Sequence, residues 1–189
     1  MVAAALPATG EAAGESTGEK PMVQLTRLLK HRWLDETDAQ RALGSGALER
    51  IEARVKASEL AHSGEIRVCV EAGLPLSYLW RDATARERAV AMFGKLRVWD
   101  TEHNNGVLVY LLLAERHIEI VADRGLTAHV APPQWATLIG GMAAAFKAGQ
   151  FEAGLIAAVD AIDELLLTHF PASAHASNRN ELPDRPTLL

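Results

Sequence analysis

A chain of 189 residues, 49% apolar and 23% charged, has the size and balance of one globular domain and leaves little room for a second. Its net charge of -5, with no run of lysine or arginine, argues against a nucleic-acid partner, which needs a basic face. The single cysteine, Cys69, excludes an intramolecular disulfide and a cysteine-rich zinc site, and fits a reducing compartment.

Residues 1–20 are mostly Ala, Gly, Glu, Ser and Thr without periodicity, so a disordered N-terminal tail is expected. Met1 to Leu6 is apolar but short and has no basic flank, so it does not read as a secretory signal. The longest apolar run, Val107 to Ala114, is strand-sized, far below the length of a membrane helix. A cytoplasmic protein is expected.

The folded part is expected over residues 21–171. Met22, Leu25, Leu28 and Leu29, followed by Trp33, form an apolar stripe at helical spacing. Leu48, Ile51 and Val55 form a second stripe, with Ser45 as a candidate N-cap. Ser63-Gly64 breaks the chain before Ile66, Val68 and Val70, which alternate as a strand does. Thr84 and Glu87 make a capping box for a helix with Ala89, Phe93 and Leu96 on one face. Asn104-Asn105-Gly106 marks a turn. The continuous apolar run from Val107 to Leu113 then predicts a strand covered on both faces. Glu115-Arg116 permits a tight reversal into Ile118, Ile120 and Ala122. Pro132-Pro133 opens a helix with Trp135, Ile139, Met142 and Phe146 as its stripe, and Gly149 ends it. Gly140-Gly141 inside that helix suggests close backbone packing on the sheet. The last helix carries Phe151, Leu155, Val159, Ile162 and Leu166, and Pro171 stops it. Residues 172–189 read as an extended tail, lying on the domain or leaving it.

The order α-α-β-α-β-β-α-α predicts an α/β three-layer sandwich, a small mixed sheet with helices on both faces. The long helical connection makes the first two strands parallel, and the short turn makes the last two antiparallel. Three loops then meet at one end of the sheet, bringing together Glu65, His103, Asn104, Asn105, Asp123 and Arg124. Carboxylate and amide oxygens suit a hard cation, Ca2+ or Mg2+, with Glu65, Asp123 and Asn104 as candidate ligands. Arg124 is placed either to pair with Asp123 or to hold an anion. Turn-forming Asn, Gly, Asp and Ser account for the same loop polarity without any ligand.

The common nucleophile, metal and phosphate motifs are missing, and the seven histidines are scattered. His117-Ile118-Glu119 has half of a deaminase signature without its cysteine partner. Cys69 sits mid-strand and reads as a buried, inert thiol.

Ser63-Gly64-Glu65-Ile66, Asn105-Gly106-Val107-Leu108-Val109, Ile118 through Leu126, and Phe146-x-x-Gly149-x-Phe151-x-x-Gly154 together resemble the TPM domain over roughly residues 35–170. That domain occurs in a plant thylakoid-lumen repair protein, a nematode receptor modulator and many bacterial proteins. His31-Arg32-Trp33-Leu34 with Asn180 through Pro186 resembles a short bacterial branch of the family. The resemblance implies an α/β sandwich, and for some relatives acid phosphatase activity or calcium binding. Three positions depart from the family pattern: Asp123-Arg124-Gly125-Leu126 after the third strand, Asn104 where an acidic residue is usual, and Val130-Ala131-Pro132-Pro133 in place of Leu-Pro-Asp. Two functions follow: a binding or accessory module whose strand-end loops engage a partner protein or divalent cation, or a weak metal-assisted acid phosphatase.

Overall fold

The computed structural model of the protein describes residues 20–172 and 180–189. The expected tail over residues 1–20 therefore lies outside the described residues, except for Lys20. In chain order the elements are α1 (Lys20–Arg32), α2 (Glu36–Leu43), α3 (Ala47–Glu59), β1 (Ile66–Glu71), α4 (Leu76–Trp80), α5 (Ala85–Lys95), β2 (Val107–Leu112), β3 (His117–Ala122), α6 (Arg124–Thr127), α7 (Pro132–Lys147), α8 (Phe151–His169) and β4 (Thr187–Leu188).

The sheet order is β3-β2-β1-β4. β1 and β2 are parallel, from Ile66 opposite Val107 to Glu71 opposite Leu112. β2 and β3 are antiparallel, from Val107 opposite Ala122 to Leu112 opposite His117. A single 3₁₀ turn, Leu113–Glu115, makes the reversal, and Arg116 completes it in the left-handed region at φ 50°. Alternation divides the sheet residues between two cores. Ile66, Val68, Val70, Val107, Val109, Leu111, Ile118 and Ile120 pack with α2, α3, α7 and α8. Cys69, Leu108, Tyr110, Leu112 and Val121 pack with α4 and α5. The molecule is thus a mixed α/β sandwich with helices on both faces. Cys69 is fully buried, and burial pushes its thiol up to about 12, which makes it a poor nucleophile.

Thr84 caps α5 through the capping box with Glu87. α2 had no apolar stripe long enough to announce it, yet Asp35 and Asp38 form a capping box at its start. Ser45 does not cap α3: Gly46 occupies the N-cap position and no side chain bonds there. Of the α1 stripe, Leu28 packs against the α4–α5 core. Leu28 is half-buried, while Leu29 and Trp33 stand exposed. Gly140 and Gly141 are solvent-exposed, and a Cβ at either would meet nothing within 4 Å, so close packing within the chain is not their reason for being there.

β4 was not anticipated. It pairs parallel with β1, placing Thr187 opposite Cys69 and Leu188 opposite Val70. The Leu189 amide donates to the Val70 carbonyl at 3.0 Å, and the Ala72 amide donates to the Leu189 carbonyl at 2.8 Å. The buried Arg67 guanidinium holds this segment further, donating to the carbonyls of Pro183 and Arg185 and to the Thr187 hydroxyl. Residues 180–189 therefore lie on the domain.

On the α5 face, the buried Glu71 carboxylate accepts from Arg88 Nε at 2.8 Å, from Arg88 Nη2 at 2.6 Å and from the Tyr110 hydroxyl at 2.6 Å. Burial, and then the Glu71 charge, raise the Tyr110 hydroxyl well above its ordinary value, so it stays a donor. Arg88→Met strands a buried carboxylate and is expected to cost about 3–5 kcal/mol in urea unfolding. Tyr110→Phe, which leaves the guanidinium in place, is expected to cost about 1.5–3 kcal/mol. Equal losses in the two variants would refute this division. Gly140→Ala and Gly141→Ala are expected to stabilise by about 1 kcal/mol each, from helix propensity in open space; a fall in melting temperature would show that these glycines have a packing role.

Candidate functional site

The sheet register brings the starts of β1 and β2 and the end of β3 to one edge. Val107 donates its amide to the Glu65 carbonyl at 2.8 Å, Asp123 to the Gly106 carbonyl at 2.9 Å, and Gly125 to the Asn104 carbonyl at 2.8 Å. Asn105 reaches across, its Nδ2 donating to the Ser63 carbonyl at 3.0 Å. Two close approaches need glycine. A Cβ at Gly125 would lie 2.5 Å from the Asn104 carbonyl oxygen and 2.6 Å from that of His103, and one at Gly106 would collide with the Val98 carbonyl oxygen. Asn104 holds φ 53°, a left-handed conformation that asparagine adopts more readily than most residues.

The six expected site residues share this edge but not one environment. His103 and Arg124 are exposed and Asn104 is half-buried. Glu65, Asn105 and Asp123 are buried. Asp123 Oδ1 accepts the Arg124 amide at 2.7 Å and caps α6. Asp123 Oδ2 and Asn105 Oδ1 are buried oxygens without a hydrogen-bond partner among the described residues. Because Asn105 Nδ2 is committed to Ser63, the amide orientation that leaves Oδ1 bare is set by that bond. Among the described residues, no three His, Cys, Asp or Glu side chains are grouped to hold a metal ion.

Glu65 is held from the other side. Its two carboxylate oxygens accept the amides of Glu181 at 3.1 Å and Leu182 at 3.2 Å. The Glu181 carboxylate in turn accepts the Glu102 amide at 3.1 Å. The C-terminal segment thus lies along the strand-end loops. No sequence pattern flagged this, because Thr187-Leu188-Leu189 is too short to show a strand period. His62, in the loop before β1, is buried with its Nε2 3.3 Å from Asp163 Oδ1 on α8, and burial holds its pKa down.

Beside Glu65 lies an open cleft of about 420 Å³ bordered by Lys56, Glu59, Asn180 and Asp184. Burial pushes the Glu59 carboxyl up to about 9, although the Ile66 amide donates to it at 2.9 Å, and its proton serves a hydrogen bond with Asp184. Burial likewise raises Glu65 to about 7, against the two tail amides that favour its charged form.

Both carboxyls hold a proton in the folded state that the unfolded chain releases near pH 4.5. Their contribution to stability is therefore full below that pH, and falls as pH rises toward about 7 for Glu65 and about 9 for Glu59. Glu59→Gln keeps a neutral acceptor for Ile66 and a donor for Asp184. It is expected to match the wild type near pH 5 and to exceed its melting temperature at pH 9, by roughly 10 °C. Parallel melting curves across that range would refute the assignment.

Comparison with known proteins bears on this edge of the sheet. No curated protein matches the chain. The NMR structure of the BA42 protein from the psychrophilic bacterium Bizionia argentinensis is similar, with 26% identity and a TM-score of 0.66 over 76% of this chain and 93% of that one. The family model described as the TPM domain matches residues 37–165, from α2 to the last turns of α8 and across every element that builds the strand-end site. The chain therefore belongs to the TPM-domain family.

Proposed function

We propose that this TPM domain is a binding module whose strand-end loops take a hard divalent cation, with Asn105 Oδ1 and Asp123 Oδ2 as the side-chain ligands. The observation that supports it is the pair of buried acceptor oxygens on neighbouring strand ends, bare among the described residues. A buried polar atom without a partner is costly, and a cation of the calcium or magnesium type meets that cost with the oxygen chemistry it prefers. Glu65, whose two carboxyl oxygens are taken by the tail amides, is not a free ligand at this edge. With one free carboxylate oxygen and one amide oxygen from side chains, water and backbone carbonyls fill most of the coordination shell, so affinity is in the millimolar range. A metal-assisted phosphatase would need in addition a nucleophile and an anion holder; exposed Arg124 is the residue for the second role.

The test is a calcium and magnesium titration followed by amide NMR on the full chain. Shifts in residues 103–106 and 123–125, lost in Asp123→Ala, are expected. Amides unmoved at several millimolar would remove the cation reading and leave the same loops as a face for a protein partner. Hydrolysis of a chromogenic phosphate monoester that is metal-dependent and lost in Asp123→Ala would favour the phosphatase reading over a pure binding role.

A further inference from the structure

We propose that the outward face of the α7–α8 hairpin binds a second copy of this chain, with the two α7 helices crossing antiparallel about a two-fold axis at Gly140 and Gly141. The strand-end site uses none of these residues, so the two readings stand or fall separately.

α7 buries Trp135, Ile139, Met142 and Phe146 in the core that it shares with α8. Gln134, Thr137, Gly140, Gly141, Ala144 and Lys147, at helical spacing on its other side, are exposed. From Pro132 to Phe146 the helix carries no charged residue, whereas the open face of a surface helix is normally charged. Beside that face runs a groove of about 550 Å³, walled by Thr137 and Leu138 of α7 and by Ala161, Glu164 and Leu165 of α8. Gly140 and Gly141 lie near the midpoint of α7, with nothing of the chain within 4 Å of a Cβ on either. Glycine weakens a helix, and what it offers in return is a bare backbone on which a second helix can lie closely.

Charge selects a copy of the same face. On α8, Glu152 pairs with Arg50, and Asp160 and Asp163 pair with Arg54, both arginines belonging to α3. Glu164 on α8 and Lys147 on α7 are exposed, and neither has an ion-pair partner among the described residues. The Arg116 guanidinium donates to the Lys147 carbonyl at 2.9 Å, so the C-terminal corner of α7 is basic. Glu164 stands at the other end, in the groove beside Pro133, Gln134 and Thr137. In an antiparallel pair centred between Gly140 and Gly141, position 147 of one helix falls opposite position 134 of the other, about 10 Å along the axis from the crossing. Lys147 of each copy thus comes to the groove end that holds the partner's Glu164, and symmetry forms the pair twice. An uncharged middle with a base at one end and an acid at the other is complementary to itself in this orientation.

The experiment is sedimentation equilibrium of the full chain from roughly 10 to 500 µM, with Lys147→Glu, Glu164→Lys, the two combined, and Gly140→Gln/Gly141→Gln. A reversible dimer is expected in the wild type. Each single charge reversal should raise its dissociation constant about tenfold or more, and the combined variant, which restores both pairs, should recover most of that loss. The glycine variant should weaken the dimer by a similar factor while melting no lower in dilute solution, because glutamine favours the helix but holds its neighbour away. Melting temperature checks that the charge variants fold, as exposed positions should allow. A chain that stays monomeric across the range overturns the proposal. So does a dimer that the glycine variant and the single reversals leave unchanged, or one in which the combined variant recovers nothing.

Discussion

Every residue of β1 is buried, and the strand is bonded along both of its edges. A strand in that position has no water to satisfy its amides and carbonyls, so both rows must find protein partners. β2 supplies one row from 107–112, at a distance in sequence that a helical crossover naturally spans. The other row needs a segment from far away, and residues 187–189 meet that need. Once they lie there, Arg67 can reach the carbonyls of Pro183 and Arg185, and Glu65 can accept the amides of Glu181 and Leu182. The strand-end site is therefore framed by a tail whose placement follows from the hydrogen-bonding demands of one strand.

The two buried ionic groups along β1 play different parts. Glu71 is balanced by Arg88 and Tyr110 within a closed cluster on the α5 face. Glu65 and Glu59, at the opposite end, are met mainly by backbone amides and are pushed by burial toward their protonated forms. One end of the strand is electrostatically settled and the other holds carboxyls that titrate near and above neutral pH. That asymmetry is consistent with ligand chemistry at the loops rather than at the α5 face.

The central sheet was legible because loop length and apolar pattern are local signals. The apolar run from Val107 to Leu113 required cover on both sides, and a short turn could only return antiparallel. Thr84 and Glu87 announced α5 by side-chain chemistry alone. The tail strand was not legible, because two paired residues carry no period and their partner lies more than a hundred positions away. Gly140 and Gly141 misled because a helix glycine signals close packing only when something is close, and nothing is. The gathering of Glu65, Asn105 and Asp123 followed from topology, but which oxygens were already engaged depended on the tail and could not be read in advance.

The pairing of β1 with β4 joins positions 116 or more apart through a short ladder and a few side-chain bonds. Closing so long a loop costs entropy that only a few contacts offset, so this seam forms late in folding and opens before the rest of the sheet. Amide hydrogens on the β4 side of β1 then exchange with solvent through a local opening, while those facing β2 wait for the whole domain to unfold. Each such opening strips Glu65 of its two amide partners and briefly hands a bare carboxylate to the strand-end loops.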